Sequence, residues 1–301
     1  MTEPAISTNI PPVTDVPANL PAPAKPATLF RRAWTFPRAK IGTVLTGVVV
    51  LVAVLGPWLG PVITGYDATE FAGKPFKADG IAGTDGLGRD VLSRFLDGGA
   101  TLLLYAVLAT VLGIVLGAAL GMLAGYSGGM LDSVLMRGND VLLSFPQLVF
   151  ALLAIAMIGP KGWLLVIVIG VTHAPRVARV ARQATIGVRG NDYIKAAQMY
   201  AVPRRQILLR EILPNITGPL MVEIGLRLTY SIGYIASLSF LGLGIQPPTA
   251  DWGLMINENR IALVVQPWGV LLPVLAIAVL TVGTNLITDA LASAAAGRGR
   301  A

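Results

Sequence analysis

Residues 191–215 read NDYIKAAQMYAVPRRQILLREILPN, a polar, basic island set between two long apolar blocks. The pattern predicts two short helices joined by a bend. Asn191 or Asp192 offers a side-chain oxygen to cap the first helix, which runs through Tyr200. Pro203 fits the first turn of the second. Small Ala196 and Ala197 leave a shallow face that a groove in another protein could receive. Arg204, Arg205 and Arg210, near the bend, could anchor to carboxylates or to lipid phosphates. A merely solvated loop is the plain alternative, because basic loops beside membrane spans are common.

The residues around the island set the class. Hydrophobic residues make up 54% of the 301 and charged ones only 13%, and the apolar residues come in long blocks rather than a soluble pattern. About six blocks approach the ~20 residues a spanning helix needs: 41–63, 100–124, 141–159, 162–183, 216–242 and 268–290. The expected fold is therefore all-α and integral to the membrane, with six transmembrane helices. Lys25, Arg31, Arg32, Arg38 and Lys40 precede the first block. Alternating spans put them on the same side as Arg137, the island with Arg176, Arg179, Arg182 and Arg189 before it, and Arg298 and Arg300 at the tail. The opposite loops hold only Lys74, Lys77, Arg89, Arg94, Lys161 and Arg260, among more acids. Both termini and the island are thus expected in the cytoplasm, in a multi-pass cell-membrane protein. That topology accounts for the net charge of +7, which gives no reason to invoke nucleic acid.

Residues 1–40 are expected to form a disordered cytoplasmic segment, rich at first in Pro, Ala and Thr. Residues 41–291 form the transmembrane domain and 292–301 a cytoplasmic tail. The first span lies too late and is too long for a cleaved signal peptide. The chain has no cysteine, which excludes disulfides and thiol catalysis. His173, read as a residue at the foot of the fourth span, has no partners for a metal site. Residues 83–99, GTDGLGRDVLSRFLDGG, only superficially resemble a phosphate loop, because the lysine-bearing glycine pattern is missing. No catalytic residue, metal or cofactor is expected in this chain, so any ATP and Mg chemistry belongs to a partner.

Four features within the spans carry further expectations. Gly113, Gly117, Gly121 and Gly125 form a ridge along one face of the second span. It serves either internal packing or a subunit or sliding contact. Pro146 should kink the third span. Before it, an amphipathic helix exposes Leu131, Val134, Leu135 and Val141 to lipid or protein and keeps Asp132, Arg137 and Asp140 near water. Glu223 and Arg227 share one face of the fifth span, at a cost of roughly 2.5–3.5 kcal/mol each unless paired or hydrated. They pair with each other or, with Tyr230 and Tyr234, line a polar translocation path. Gly242 and Gly244 close that helix, and Trp252 and Trp268 suit the headgroup layer.

Five blocks taken in order resemble a known family. They are GTDGLGRDVLSR at 83–94, AGYSGGMLDSVLMR at 124–137, DYIKAAQMYAVPRRQILLREILPN at 192–215, SFLGLGIQPPTADWG at 239–253, and PW at 267–268 followed by NLITDAL at 285–291. Together they are similar to the C-type permease subunit of dipeptide, oligopeptide and nickel ABC importers, which are binding-protein-dependent inner-membrane components. The island resembles the EAA loop of these permeases. Two positions depart from the motif: Lys195 stands where Glu is frequent, and Ala201 where Gly is usual.

The resemblance implies a type I importer fold and a heterodimer with a homologous B-type permease in membrane lipid. It also implies two ATPase subunits or domains, bearing ATP and Mg, and an extracytoplasmic substrate-binding protein. The ATPases would dock at Asp192, Tyr193, Lys195, Ala196, Ala197, Ala201, Pro203, Arg204, Arg205 and Arg210. Peptide is the expected cargo, with nickel or another small solute as the alternative. From other classes, an ion-driven secondary transporter calls for repeated halves and several buried acids, and Glu223 is the one obvious deep acid. An intramembrane enzyme lacks its paired residues here.

Overall fold

The computed structural model describes residues 26–78 and 80–297, which are helical apart from connecting loops and two isolated bridges. In chain order the helices are α1 (Pro26–Ala33), α2 (Pro37–Thr64), α3 (Val91–Ser127), α4 (Gly129–Ser144), α5 (Gln147–Ile158) and α6 (Gly162–Arg189). There follow α7 (Asp192–Met199), α8 (Arg204–Gln206), a π-helical stretch (Ile207–Ile212), α9 (Leu213–Phe240), α10 (Trp252–Asn259) and α11 (Trp268–Ala295). Among the described residues, α2, α3, α6 and α11 are long and apolar enough to cross a membrane, and the pair α4 and α5 makes a fifth if taken as one bent span. Although α9 is as long as α2, its Glu223, Arg227 and several hydroxyls leave it no comparably apolar stretch of spanning length.

Three expectations about the elements need correction. Residues 1–25 lie outside the described part, but residues 26–40 are ordered as α1, a short turn and the start of α2. Leu29 and Ala33 are buried, so this stretch is docked rather than disordered. The third span is not one kinked helix. Phe145 is extended (φ −88°, ψ 132°), as the residue before a proline prefers, and α4 and α5 meet at 81° across the break. The fourth span continues as α6 to Arg189, since the arginines read as its boundary prolong the helix instead of ending it.

Small residues set the packing. A side-chain carbon at Gly113, Gly117, Gly121 or Gly125 would sit within 2.4–2.8 Å of α6 atoms, among them the backbone oxygens of Ala174, Ala178 and Arg182. The ridge is thus the seam between α3 and α6 of this one chain. At the crossing of α2 and α11, Gly42 and Gly283 face each other's backbones, and Thr229 on α9 bonds Thr284 on α11 at 2.9 Å. The outer faces of α2 and α3 carry exposed Val44, Val48, Leu51, Val62, Leu104 and Val111. Such surface is stable in hydrocarbon and prohibitive in water.

The loops gather at the two ends of this bundle. Residues 65–90 and 241–267 lie at one end. The other holds the C-terminal ends of α3 and α6, joined by the Arg189 guanidinium donating to the Gly125 and Tyr126 carbonyls at 3.1 and 3.0 Å. The island lies at this second end, after α6. There Arg182 on α6 grips Asp132 on α4 with two bonds of 2.6 Å, the bidentate geometry of a strong charge-assisted pair.

Candidate functional site: a bent helix pair continuous with a polar helix

The island folds as two short helices around a sharp turn, and the turn has a recognisable cause. The Val202 N–H bonds the Ala197 carbonyl at 3.0 Å and the Ala201 N–H bonds that of Gln198 at 3.0 Å. This nested pair is the Schellman closure of a helix, in which the residue at C′ is left-handed. That residue is Ala201, at φ +52°. The sequence departure from glycine therefore falls at the one place where the missing Cβ matters, a strain of about 1–2 kcal/mol. Val202 and Ala197 both pack on one apolar cluster, the contact that accompanies such turns.

A row of isoleucines anchors the pair to the bundle. Ile194, Ile207, Ile212 and Ile216 are buried with Ala118, Met122, Val177 and Ala181. Asn191 stands at the cap position of α7 without a capping side-chain bond. Asp192 instead receives the Lys195 ammonium at 3.1 Å, with both side chains well exposed, so the pair adds little stability. Ala196 and Ala197 are partly buried, and Ala197 packs on the chain's own apolar cluster. The open face is carried by residues the sequence reading missed: Met199 and Tyr200 are 81% and 84% exposed, beside exposed Tyr193. Nothing in the sequence separates these two from the island's apolar residues that fold inward.

Beyond the bend the backbone does not break. α8, the π stretch and α9 run on as one helical rod from Arg204 to Phe240. Arg204, Arg205 and Arg210 are exposed near its start. Deeper in the rod, Glu223 and Arg227 are buried and paired at 3.1 Å. Of the four proposed path residues, these two face each other inside the chain and only Tyr230 opens widely. The Arg227 guanidinium lies 5.0 Å from the Tyr230 ring, and Tyr230 stacks on Tyr234 at 6.4 Å.

The same face of α9 holds a polar chain that the sequence did not disclose. His173 is fully buried in the interior of α6, not at a helix end. Its Nε2 lies 3.0 Å from Ser231 Oγ and its Nδ1 3.0 Å from Gln147 Nε2, while the Thr110 hydroxyl lies 3.0 Å from Ser231 Oγ. With the Gln147 amide nitrogen, a donor, turned toward the ring, Nδ1 accepts and Nε2 donates to Ser231 Oγ. The chain joins α3, α5, α6 and α9 just after the break at Pro146. A histidine alone in the sequence gives no hint of such partners.

At the opposite end, the block at 83–94 folds around two buried arginines. Asp85 accepts from the backbone N–H of Leu87 and Arg89, both at 2.9 Å, and from Arg89 Nε at 2.7 Å. Arg89 and Arg94 then both reach Glu258 on α10 at 3.0 Å. Asp251 caps α10 by accepting from the Leu254 N–H at 3.0 Å. Burial pushes its carboxyl up to about 6, against the pull of the Leu254, Ser239 and Gly253 hydrogen bonds. Trp252 is wholly buried, donates to the Phe95 carbonyl at 2.8 Å and stacks on that ring. It is a packing residue rather than a headgroup anchor. Trp268 stays half-exposed.

The comparisons with known proteins agree with one another. A family model described as the binding-protein-dependent transport system inner membrane component matches residues 117–297, which includes the island and the rod. The glutathione transport system permease protein of Escherichia coli O157:H7 is 35% identical over 270 residues, covering 88% of this chain and 87% of that protein. A Brucella suis protein that bears the name of a peptide transport system permease is 34% identical over 256 residues, covering 84% of this chain and 85% of its own length.

Proposed function

The chain belongs to the binding-protein-dependent inner-membrane transport components, the permeases of ABC importers, and from that premise we propose how it couples to its power source. It is a multi-pass membrane protein and a transport subunit. The chain crosses the bilayer six times, with α4 and α5 together as the third crossing and α9 as the fifth. Both termini and the island lie in the cytoplasm. It pairs with a homologous B-type permease. Two ATPase subunits or domains, holding ATP and Mg, grip the island from below. An extracytoplasmic binding protein delivers cargo to the other end.

The observation that carries this reading is the continuity of the bend with α9. A load applied at α7 and the bend passes through a closed Schellman turn and an anchored isoleucine row into a helix bearing the polar residues. The docking face comprises Asp192, Tyr193, Lys195, Ala196 and Ala197, extended by Met199 and Tyr200, with Ala201 and Pro203 fixing its angle. ATP-driven closure of the ATPases draws two such islands together. The rods then shift against α3, α6 and α11 and open the path between the permeases. The two ATPase states need only differ in their contacts with the island. Tyr230 and Tyr234 border the path, and the Glu223–Arg227 pair keeps the charged helix neutral at that depth. The cargo is a peptide or peptide-like solute, a reading supported by the names that its relatives carry.

The test uses the cysteine-free background. Met199→Cys is expected to crosslink to an ATPase subunit in the assembled importer, with a yield that changes on adding ATP. Absence of any product in an active complex would remove the docking claim. Ala197, half-covered by its own chain, is the poorer position. For the path, Glu223→Gln with normal assembly is expected to slow uptake, and unchanged uptake would exclude its participation.

A further inference from the structure

Next to the rod's start lies a groove of about 370 Å³, lined by Met122 and Leu123 on α3, Leu208 and Leu209 on the π stretch, and Arg204 and Arg205. Its floor is apolar and two cations complete it. Leu123 and Leu209 are 42% and 46% exposed, and the groove continues the outward stripe of α3 through Leu120, Leu116 and Val115. Neither arginine joins an ion pair among the described residues. Their position is also adverse for the helix itself, because cations at a helix start oppose its dipole. A second groove, shared through Arg205 and Leu209, adds Arg210, while Glu211 is the one acid between Pro203 and Leu213.

We propose that this groove binds an anionic phospholipid, one acyl chain lying along the α3 stripe and the phosphate held between Arg204 and Arg205. The charge complements a lipid phosphate, and the site lies near the end of a spanning helix, where hydrocarbon gives way to headgroups. A protein partner would leave the apolar stripe and the cations with mismatched surroundings, whereas a phospholipid supplies both chemistries in one molecule. The two arginines therefore serve the membrane rather than the ATPase, and docking falls to the α7 face. The lipid fixes the height of the rod's start. This inference needs only that the chain crosses a membrane, so it stands or falls apart from the docking claim.

The assembled importer is placed in nanodiscs of phosphatidylcholine containing rising fractions of phosphatidylglycerol, and bound lipid is counted by native mass spectrometry. The wild type is expected to enrich phosphatidylglycerol. The double variant R204Q/R205Q should bind it about thirtyfold more weakly, as two surface cations imply, and R204K/R205K should retain most of the binding. Since neutral residues relieve the helix start, unfolding does not explain a loss, and thermal unfolding of each variant checks this. A photo-crosslinking side chain at Leu123 is expected to label lipid. Equal phosphatidylglycerol binding by wild type and R204Q/R205Q would overturn the proposal. So would labelling of the ATPase or partner permease from Leu123, or displacement of bound lipid by inorganic phosphate alone.

Discussion

With φ at +52°, Ala201 holds a backbone that glycine adopts without Cβ crowding, so its replacement has a definite sign. Ala201→Gly should relieve about 1–2 kcal/mol of native strain and return under 1 kcal/mol to the unfolded chain's entropy, a small net gain. Slower amide exchange across residues 192–206 would register it, and Ala201→Val should speed the same exchange. In the sequence the departure from glycine is visible, but it carries a cost only if the backbone turns left-handed, which the fold decides. Asp251 makes a second residue-scale case. Its carboxyl titrates near 6 when folded against an ordinary 3.8, so between those values the folded chain holds a proton that the unfolded chain lacks. This contribution is fully present below 3.8 and is lost as pH rises through 6, on the order of 3 kcal/mol in all. Thermal unfolding of Asp251→Asn, which still caps α10, should lose that part of the pH slope between pH 4 and 7. His173 and Trp252 show where reading by residue type ends. An aromatic side chain near a span suits a headgroup layer or a pocket equally, and only packing distinguishes them.

Helices were more legible than their partners. Long apolar blocks marked α2, α3, α6 and α11, because lipid demands length and hydropathy together. The break at Phe145–Pro146 was visible as a proline, but not as an 81° turn; that angle depends on how α4 is held to α6 by Asp132 and Arg182. The glycine ridge was visible, but its partner was not, since four-residue spacing names a face and no occupant. Its place against α6 now gives the ridge a measurable role. Gly121→Ala would set a carbon 2.4 Å from the Ala178 carbonyl oxygen, and rigid backbone cannot yield as a flexible side chain can. A loss of about 1–3 kcal/mol is expected, read as a lower melting temperature of the purified chain. Gly138, with no atom near its added carbon, should tolerate the same change. The arginine clamp at the other end is a comparable element-scale device. Removing Asp85 by Asp85→Ala strands two buried guanidiniums on Glu258 and should cost about 3–5 kcal/mol, with limited proteolysis cutting residues 66–90 first.

At the scale of the whole molecule, function rests on whether a rigid connection spans the distance from the bend to the polar helix. The π stretch at Ile207–Ile212 lies in that connection. A π turn holds one residue more than the α-helix around it, and such turns are frequent at functional sites. The turn already holds its extra residue, so an alanine inserted after Leu209 cannot be taken up there as well. The bend, α7 and its open face would then rotate by about 100° relative to α9, the angle of one residue in a 3.6-residue turn. The anchoring isoleucines oppose this, because Ile194 and Ile207 on one side and Ile212 and Ile216 on the other share one apolar cluster and cannot all stay buried after the rotation. Two quantities separate the outcomes in proteoliposomes: ATP hydrolysis by the assembled importer, and uptake of the solute that the binding protein delivers. If the rod transmits the stroke, the insertion should leave assembly and much of the hydrolysis in place while uptake falls at least tenfold. If uptake instead follows hydrolysis as in the wild type, α9 is not the transmitting element. The work of closure would then have to reach the path through α6, which meets the island from the other side.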